Sequence, residues 1–189
     1  MLGYEDDIEK CLDTLRKGGL ILYPTDTVWG IGCDATNNDS VQKIYDLKKR
    51  KDEKSMIVLV ADERDILQYV AAPDLAVFDY LENTDRPTTV IYDHAIGLAD
   101  KLVAADGSVG IRICRDEFCR HLIKRFRKPI VSTSANISGT PTPASYNDVS
   151  SVLKAGVDYV ARHRQEEDEP GQPSSVIRWK AGAVEIIRP

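Results

Sequence analysis

The chain has 189 residues, of which 42% are hydrophobic and 29% charged, a composition typical of one globular domain with a sizeable core. Its net charge of −5 disfavours a protein whose whole surface binds nucleic acid. No stretch approaches the roughly 18 consecutive apolar residues of a membrane helix, and the acidic N-terminus is unlike a signal peptide. We therefore predict one domain over residues 1–189 that is cytoplasmic and has no membrane association.

The predicted elements alternate between helices and strands. In chain order they are a helix over 8–16, a strand over 20–23, an extended segment over 27–31, a helix over 41–47, a strand over 56–60, helices over 64–70 and 75–81, strands over 88–92 and 109–113, a helix over 118–125, and strands over 130–132, 157–161, 175–177 and 184–187. Asp39 or Ser40 is expected to cap the helix over 41–47. Several connections are too short for parallel crossovers, which predicts an α/β domain with a mixed sheet. Residues 162–173 are polar and acidic with glycine and proline, typical of a loop or lid.

The cysteines show no pattern typical of a metal or redox site. Cys11, Cys33, Cys114 and Cys119 form neither a CxxC pair nor a ligand run with the histidines. A chain of this size folds without disulfides. We therefore predict reduced cysteines in the core and no metal site in the protein.

Two polar segments in the first third of the chain are candidates for ligand binding. The sequence YPTDTVWGIG, residues 23–32, places hydroxyls, a carboxylate and two glycines directly after a buried strand, where α/β sheets bind ligands. A capped turn with glycines at positive φ is the alternative. Residues 43–54 carry six basic and three acidic side chains. This charge suits a phosphate, which Arg binds as a fork and Lys as a point charge, but it is also typical of a solvated loop.

Three later segments are also candidates. Residues 132–142, STSANISGTPT, crowd hydroxyl and amide groups that either bind phosphate, ribose or carboxylate without a metal or form a polar turn. In GSVGIR, residues 107–112, Arg112 either binds an anion or points outward on the alternate face of a strand. The segments PSSVI (173–177) and IIRP (186–189) indicate little alone. The GxxxxGK[ST] phosphate loop does not occur in the sequence, which argues against a P-loop hydrolase.

Taken together, these segments resemble the YrdC family of threonylcarbamoyl-AMP synthases from about residue 18 to residue 188. The family's YPT[DE]Tx[YW]G[LI]G is YPTDTVWGIG here, its KxR is KKR at 48–50, its G[ST]Vx[VI]R is GSVGIR, its S[TA]SANxSG is STSANISG, its PS[ST]V is PSSV, and its [IL][IL]R is IIR at 186–188. The ordered set is specific, whereas each match alone is not. The resemblance implies a single-domain YrdC-like fold, an open twisted mixed β-sheet with flanking helices and a positively charged concave face.

The resemblance also implies an activity. It is the synthesis of L-threonylcarbamoyladenylate from L-threonine, bicarbonate and ATP with release of pyrophosphate, the first step in making N6-threonylcarbamoyladenosine (t6A) in tRNA. ATP would be a substrate, accompanied by Mg²⁺ held mainly by its phosphates, and no tightly bound cofactor is expected. The chain resembles the family's short form, which leaves transfer to tRNA to partner proteins.

Residue roles follow from the matching positions. The catalytic group implied by the resemblance comprises Lys48, Arg50, Ser134 and Asn136. The L-threonine contacts are Thr27, Arg112, Ser132 and Ser174, with Arg112 as the partner of the carboxylate. The ATP contacts are Arg50, Lys54, Ser108, Ser134, Thr142 and Arg188. The chain departs from the family where Leu59 replaces a usual ligand-facing His, where DRPTT at 85–89 replaces a common WPGPLT, and where Ser108 and Ser175 replace Thr.

Two other functions remain open at this point. A tRNA- or double-stranded-RNA-binding module without catalysis would use the basic runs at 43–54 and 120–128, although the net charge opposes it. A relative that handles carbamoyl adenylate is the other alternative. Such domains usually lie inside much larger chains.

Overall fold

The computed structural model describes residues 3–50 and 56–189, so Lys54, which the resemblance assigned to ATP binding, lies outside the described residues. The helices within these ranges are α1 (Glu5–Arg16), α2 (Asn38–Lys48), α3 (Glu63–Tyr69), α4 (Ala76–Glu82), α5 (Glu117–Phe126) and α6 (Ser151–Gly156). The strands are β1 (Ile21–Tyr23), β2 (Gly30–Gly32), β3 (Ile57–Val60), β4 (Thr88–Tyr92), β5 (Val109–Ile113), β6 (Ile130–Ser134), β7 (Tyr159–Val160), β8 (Ser175–Lys180) and β9 (Ala183–Arg188). The predicted α/β fold with a mixed sheet is confirmed.

The strands just given form one sheet in the order β7-β1-β2-β6-β3-β5-β4-β8-β9. The pairs β1–β7, β3–β5 and β4–β8 are parallel, and the other neighbours are antiparallel. Strand β6 joins the two halves, since its Ser134 pairs with Gly30 of β2 and its Ser132 pairs with Ile57 of β3. The hydroxyl-rich end of β6 therefore lies in the middle of the sheet.

The two faces of the sheet bury different core clusters. Val58, Val90 and Ile111 point to one face and pack with buried residues of α2, α3, α4 and α6. Successive side chains of a strand point to opposite faces, so Leu59 points to the other face and packs with residues of α1 and α5. Helices α1 and α5 contact β1, β3 and β7. The same face over β4, β5 and β8 carries the cavity described below.

Several element boundaries differ from the sequence prediction. Helix α2 is capped by Asn37, whose side chain accepts from the Ser40 amide at 3.1 Å, and not by Asp39 or Ser40. The predicted extended segment over 27–31 is a strand only at Gly30–Gly32, because the Thr25 hydroxyl bonds the backbone of its own loop. Helix α6 escaped prediction because it is only six residues long, too short for a helical period to stand out.

The cysteines are free and buried, which confirms their prediction as core residues. Burial raises the pKa of the Cys11 and Cys33 thiols above the ordinary value, so both are protonated at neutral pH. Among the described residues, no helix is both long enough and apolar enough to cross a membrane.

Candidate functional site

A cavity of about 370 Å³ opens on the sheet face that Arg112 shares with Leu59. It gathers segments that are far apart in the sequence. The predicted site residues in its wall are Thr27, Arg50, Ser108, Arg112, Ser132, Ser134, Thr142, Ser174 and Arg188. Apolar side chains complete the wall, among them Val28, Met56 and Ile57. The wall residues that the structure describes include three arginines and no carboxylate, so the cavity is suited to an anion.

Arg112 lies on the cavity face of β5, which decides between the two orientations left open by the sequence. Its side chain is only 3% exposed and its Nη2 donates to Asp26 Oδ1 at 2.9 Å and to Thr27 Oγ1 at 3.3 Å. Its buried Nε has no hydrogen-bond partner among the described residues. A buried guanidinium N–H without an acceptor is costly, which favours an acceptor supplied by a ligand at this point.

The wall opposite β6 is built around Ser174. The Ser174 hydroxyl lies 2.8 Å from Thr89 Oγ1, and the Ser174 carbonyl accepts from Arg188 Nη2 at 2.7 Å. Burial, and then the nearby Arg112 and Arg86, lower the pKa of Arg188. The positive charges therefore lie close enough together to repel one another, as expected of a site that accommodates an anion.

Ser108 reaches the cavity from the turn before β5. Asp106 orients its hydroxyl, which donates to Asp106 Oδ1 at 2.6 Å, and its amide donates to the same oxygen at 3.0 Å. The other Asp106 oxygen lies 3.5 Å from Arg178 Nη2. The turn is thus held by side-chain hydrogen bonds, which presents the Ser108 oxygen as an acceptor towards the cavity.

Lys48 occupies a different position from the one predicted. It is the last residue of α2 and is 1% exposed, so the solvated loop that was the alternative for residues 43–54 does not describe Lys48. Its ammonium donates to the Ser134 carbonyl, and its own carbonyl accepts from the Ser138 amide at 3.0 Å. Burial, and then Arg50, lower its pKa to about 7. Lys48 therefore lies behind the cavity and ties α2 to the loop that follows β6.

Asn136 lies outside the first cavity. Its Nδ2 donates to the Thr140 carbonyl at 2.7 Å and to the Ile137 carbonyl at 3.2 Å, which folds the side chain into its own loop. It lines a neighbouring cavity of about 560 Å³ that shares Thr142 with the first. Asn136 Oδ1 is buried without a hydrogen-bond partner among the described residues. The two cavities meet at Thr142.

Leu59 is fully buried in the core cluster beneath α1 and α5 and is absent from the described cavity wall. It is nevertheless the register partner of Arg112 on β5. Leucine at this position therefore lies beside Arg112 on the neighbouring strand and contributes to the core cluster. It adds no side chain to the cavity.

Sequence reasoning missed Asp26 as the partner of Arg112 and Thr89 as the partner of Ser174. Thr89 could have been found from strand alternation, because Val90 is a core residue of β4 and its neighbour must point to the other face. The pairing of Asp26 depends on a loop and a strand 86 residues apart, which no local pattern indicates. The residues that the structure describes contain no group of three or more His, Cys, Asp or Glu placed to hold a metal ion.

Residues 13–189 match the model of the Sua5/YciO/YrdC family, whose description is "Telomere recombination". The chain belongs to this family. The threonylcarbamoyl-AMP synthase of Vibrio parahaemolyticus is 31% identical over 95% of this chain and 97% of its own length. A putative threonylcarbamoyl-AMP synthase of Methanocaldococcus jannaschii is 32% identical over 97% of this chain and 87% of its own length.

Among solved structures, Sua5 of P. abyssi complexed with L-threonine superposes with a TM-score of 0.85 at 23% identity. The match covers 98% of this chain and 54% of the Sua5 chain, so the present chain spans about half of that protein. At this identity the likeness establishes the Sua5/YciO/YrdC fold of the domain and leaves residue roles to the geometry of the cavity.

Proposed function

We propose that this protein makes L-threonylcarbamoyladenylate from L-threonine, bicarbonate and ATP. The observation that carries the proposal is the convergence of Arg50, Arg112 and Arg188 with eight hydroxyl-bearing residues in the wall of one cavity. A carboxylate and a triphosphate are both anions that arginine binds through parallel N–H groups. The names of the relatives and the L-threonine complex of Sua5 support the same assignment.

L-Threonine is assigned to the part of the cavity around Arg112. The Nε atom of this residue lacks a protein acceptor among the described residues and is expected to donate to the substrate carboxylate. Thr27, Ser132 and Ser174 line the same cavity and would offer hydroxyls to the substrate amine and side chain. Asp26 holds Arg112 in place, so the guanidinium is oriented before the substrate arrives.

ATP is assigned to the side formed by Arg50, Ser108, Ser134, Thr142 and Arg188. Lys54, which lies outside the described residues, is proposed as a further ATP contact on the resemblance alone. Arginines there would neutralise the charge of the phosphates in the transition state. Mg²⁺ is expected to arrive with ATP and to be coordinated by phosphate oxygens, where it would screen their charge.

In the proposed reaction, the threonine amine attacks CO₂ formed from bicarbonate and loses a proton to give a carbamate. A carbamate oxygen then attacks the α-phosphorus of ATP. The bond between the α-phosphorus and the bridging oxygen breaks, and pyrophosphate leaves with the electron pair. The protein's part is to hold the carbamate in line with the α-phosphate and to neutralise charge, which needs cations and neutral donors more than a strong base.

Lys48 acts in this proposal from the end of α2, and Asn136 acts from the loop after β6. Lys48 bonds the Ser134 carbonyl and so restrains the backbone of Ser134, a residue of the cavity wall. Asn136 fixes the turn that leads to Thr142. Both are therefore proposed as positioning residues for Ser134 and Thr142.

The product is proposed to pass to threonylcarbamoyl transferase proteins that modify tRNA to t6A. The reaction is proposed to take place in the cytoplasm, and direct tRNA binding by this chain is part of the proposal. The Gln165–Glu169 segment is proposed to close over the cavity mouth, since Pro173 and Ser174 just after it line the wall.

The test is pyrophosphate release from ATP by the purified protein at constant bicarbonate, with L-threonine compared with L-serine, glycine and no amino acid. The expected result is release that depends on L-threonine and on bicarbonate. Release that is independent of the amino acid, or none from a folded protein that binds ATP, would reject the proposal. Release that depends on carbamoyl phosphate and needs neither bicarbonate nor an amino acid would instead favour the carbamoyl-adenylate alternative.

The same protein should be titrated with tRNA at several salt concentrations. The RNA-binding alternative rests on the basic runs at 43–54 and 120–128. In the second run, α5 carries Lys124 and Arg125 in its last turn. Tight binding that weakens steeply with salt, together with no pyrophosphate release, would favour that module.

A further inference from the structure

The segment that follows β7 is joined to the loop Thr25–Trp29 through Arg164. Arg164 Nη2 donates to the Thr25 carbonyl at 2.8 Å, and Nη1 donates to Asp116 Oδ1 at 2.7 Å. Asp116 is also the N-cap of α5, where it accepts from the Cys119 amide at 2.9 Å. One guanidinium thus connects the loop that carries Thr27 to the first turn of a core helix.

The backbone of Arg164 indicates that these contacts outweigh a local conformational strain. Its φ is 62°, in the left-handed region that side chains other than glycine seldom adopt. A residue other than glycine keeps this conformation only where the surrounding structure imposes it. Here the side chain supplies the constraint, being 23% exposed and bonded at both terminal nitrogens.

The loop that Arg164 holds is the one that bonds Arg112. Within it, the Thr25 hydroxyl donates to the Val28 carbonyl at 2.7 Å and accepts from the Thr27 amide at 3.1 Å. At its cavity side, Arg112 donates to Asp26 and to the Thr27 hydroxyl. Arg112 therefore binds side chains of the loop, and Arg164 binds the loop backbone at Thr25.

We propose that Arg164 is a positioning residue for L-threonine, which fixes the Thr25–Trp29 loop so that Thr27 and Arg112 present a rigid surface to the substrate. This inference rests on the proposed function of the cavity. Arg164 is absent from the described cavity wall, so it acts through the loop. The consequence should fall on threonine affinity and leave the ATP side of the cavity unchanged.

The decisive variant is Arg164→Gly. Glycine adopts a φ of 62° without strain, so the fold should persist while both hydrogen bonds are lost. The matched control is Arg162→Ala, two residues earlier, whose side chain is 64% exposed and pairs with Asp6 instead of the loop. A second variant, Asp116→Asn, keeps a capping side chain on α5 but removes the charge that holds Arg164.

The first measurement is hydrogen–deuterium exchange of peptides covering residues 24–29 in the free protein. Arg164→Gly should accelerate exchange there by about tenfold, while Arg162→Ala leaves it unchanged. This measurement needs no substrate, so it tests whether Arg164 restrains the loop even if the wild type releases no pyrophosphate. Unchanged exchange in Arg164→Gly would overturn the inference.

The second measurement is the kinetic effect. Arg164→Gly should raise the KM for L-threonine by about tenfold with the KM for ATP unchanged, and Asp116→Asn should do so by a smaller factor. The double variant should add little to Arg164→Gly, because both changes break one connection. Equal increases in both KM values, or none with the wild type active, would overturn the inference.

Discussion

Arg112 Nη2 lies 2.9 Å from Asp26 Oδ1, and the two side chains are only 3% and 10% exposed. Removing one partner of such a pair leaves an uncompensated charge in a poorly solvated place. The pair therefore couples the stability of the fold to the orientation of the arginine that faces the cavity.

The change Asp26→Asn keeps the shape of the side chain and removes its charge. We expect the free energy of unfolding to fall by roughly 3 kcal/mol, since Arg112 remains buried without its counter-ion. Urea unfolding measures this. Asp13→Asn is the matched control, because the Asp13–Lys17 pair is 66% and 72% exposed and should change stability by less than about 1 kcal/mol. Similar small losses in both variants would contradict the inference of a buried ion pair.

Lys48 should make stability depend on pH. Burial and the neighbouring Arg50 lower its pKa to about 7, whereas an exposed lysine titrates near 10.4. Between those pH values the unfolded chain binds a proton that the folded chain lacks, so this group makes the protein less stable as pH falls towards 7. The contribution changes by up to about 1.4 kcal/mol per pH unit and is constant below the folded pKa.

The change Lys48→Met removes this titration. The free energy of unfolding of the variant minus that of the wild type should have its highest value below about pH 7. The difference should fall as the pH rises towards 10. Urea unfolding at a series of pH values measures the difference, with Lys17→Met as the control for an exposed lysine. A difference that does not vary with pH would show that the Lys48 ammonium keeps an ordinary pKa in the fold.

The fold was largely predictable because its signals are local. The strands over 88–92 and 109–113 were predicted from short runs rich in β-branched residues, and both predictions are confirmed. The order of the strands was not predictable, since it depends on long-range pairings such as β1 with β7. The Asn37 cap escaped because a cap is selected by backbone geometry among several suitable neighbours, including Asp39 and Ser40.

The residues that form the site were largely predictable from the motifs. The contacts that these residues make were less predictable. The order of the motifs indicated which residues gather, and most of them line one cavity. The burial of Lys48 could not be read from its charged neighbourhood, because a helix end turns successive side chains in different directions. Arg164 carried no local signal at all, since its partners Thr25 and Asp116 lie 139 and 48 residues away.

Arg188 should contribute to ATP binding from the end of β9. Its Nη2 donates to the Ser174 carbonyl at 2.7 Å, which directs the guanidinium towards the cavity that it lines. Arg188→Ala should raise the KM for ATP by at least about tenfold, because a charge-assisted contact to a phosphate is lost. Steady-state pyrophosphate release measures this KM.

The control is Lys180→Ala, at the other end of the same hairpin and 72% exposed, which should behave as wild type. A KM for ATP that is unchanged in Arg188→Ala would remove this residue from the proposed nucleotide site.

Gly171 should be intolerant of any side chain because of a close approach between backbones. A Cβ at this position would lie 1.8 Å from the Thr27 carbonyl oxygen, far inside van der Waals contact, so the loop bearing Thr27 would have to move. Gly171→Ala should therefore raise the KM for L-threonine by about tenfold and leave the midpoint of thermal unfolding within a few degrees, since residues 171–173 are exposed. Gly3→Ala is the control, because no atom lies within 4 Å of a Cβ built there. If Gly171→Ala binds L-threonine as the wild type does, the segment after β7 can shift without disturbing Thr27, and the loop is less firmly held than its contacts indicate.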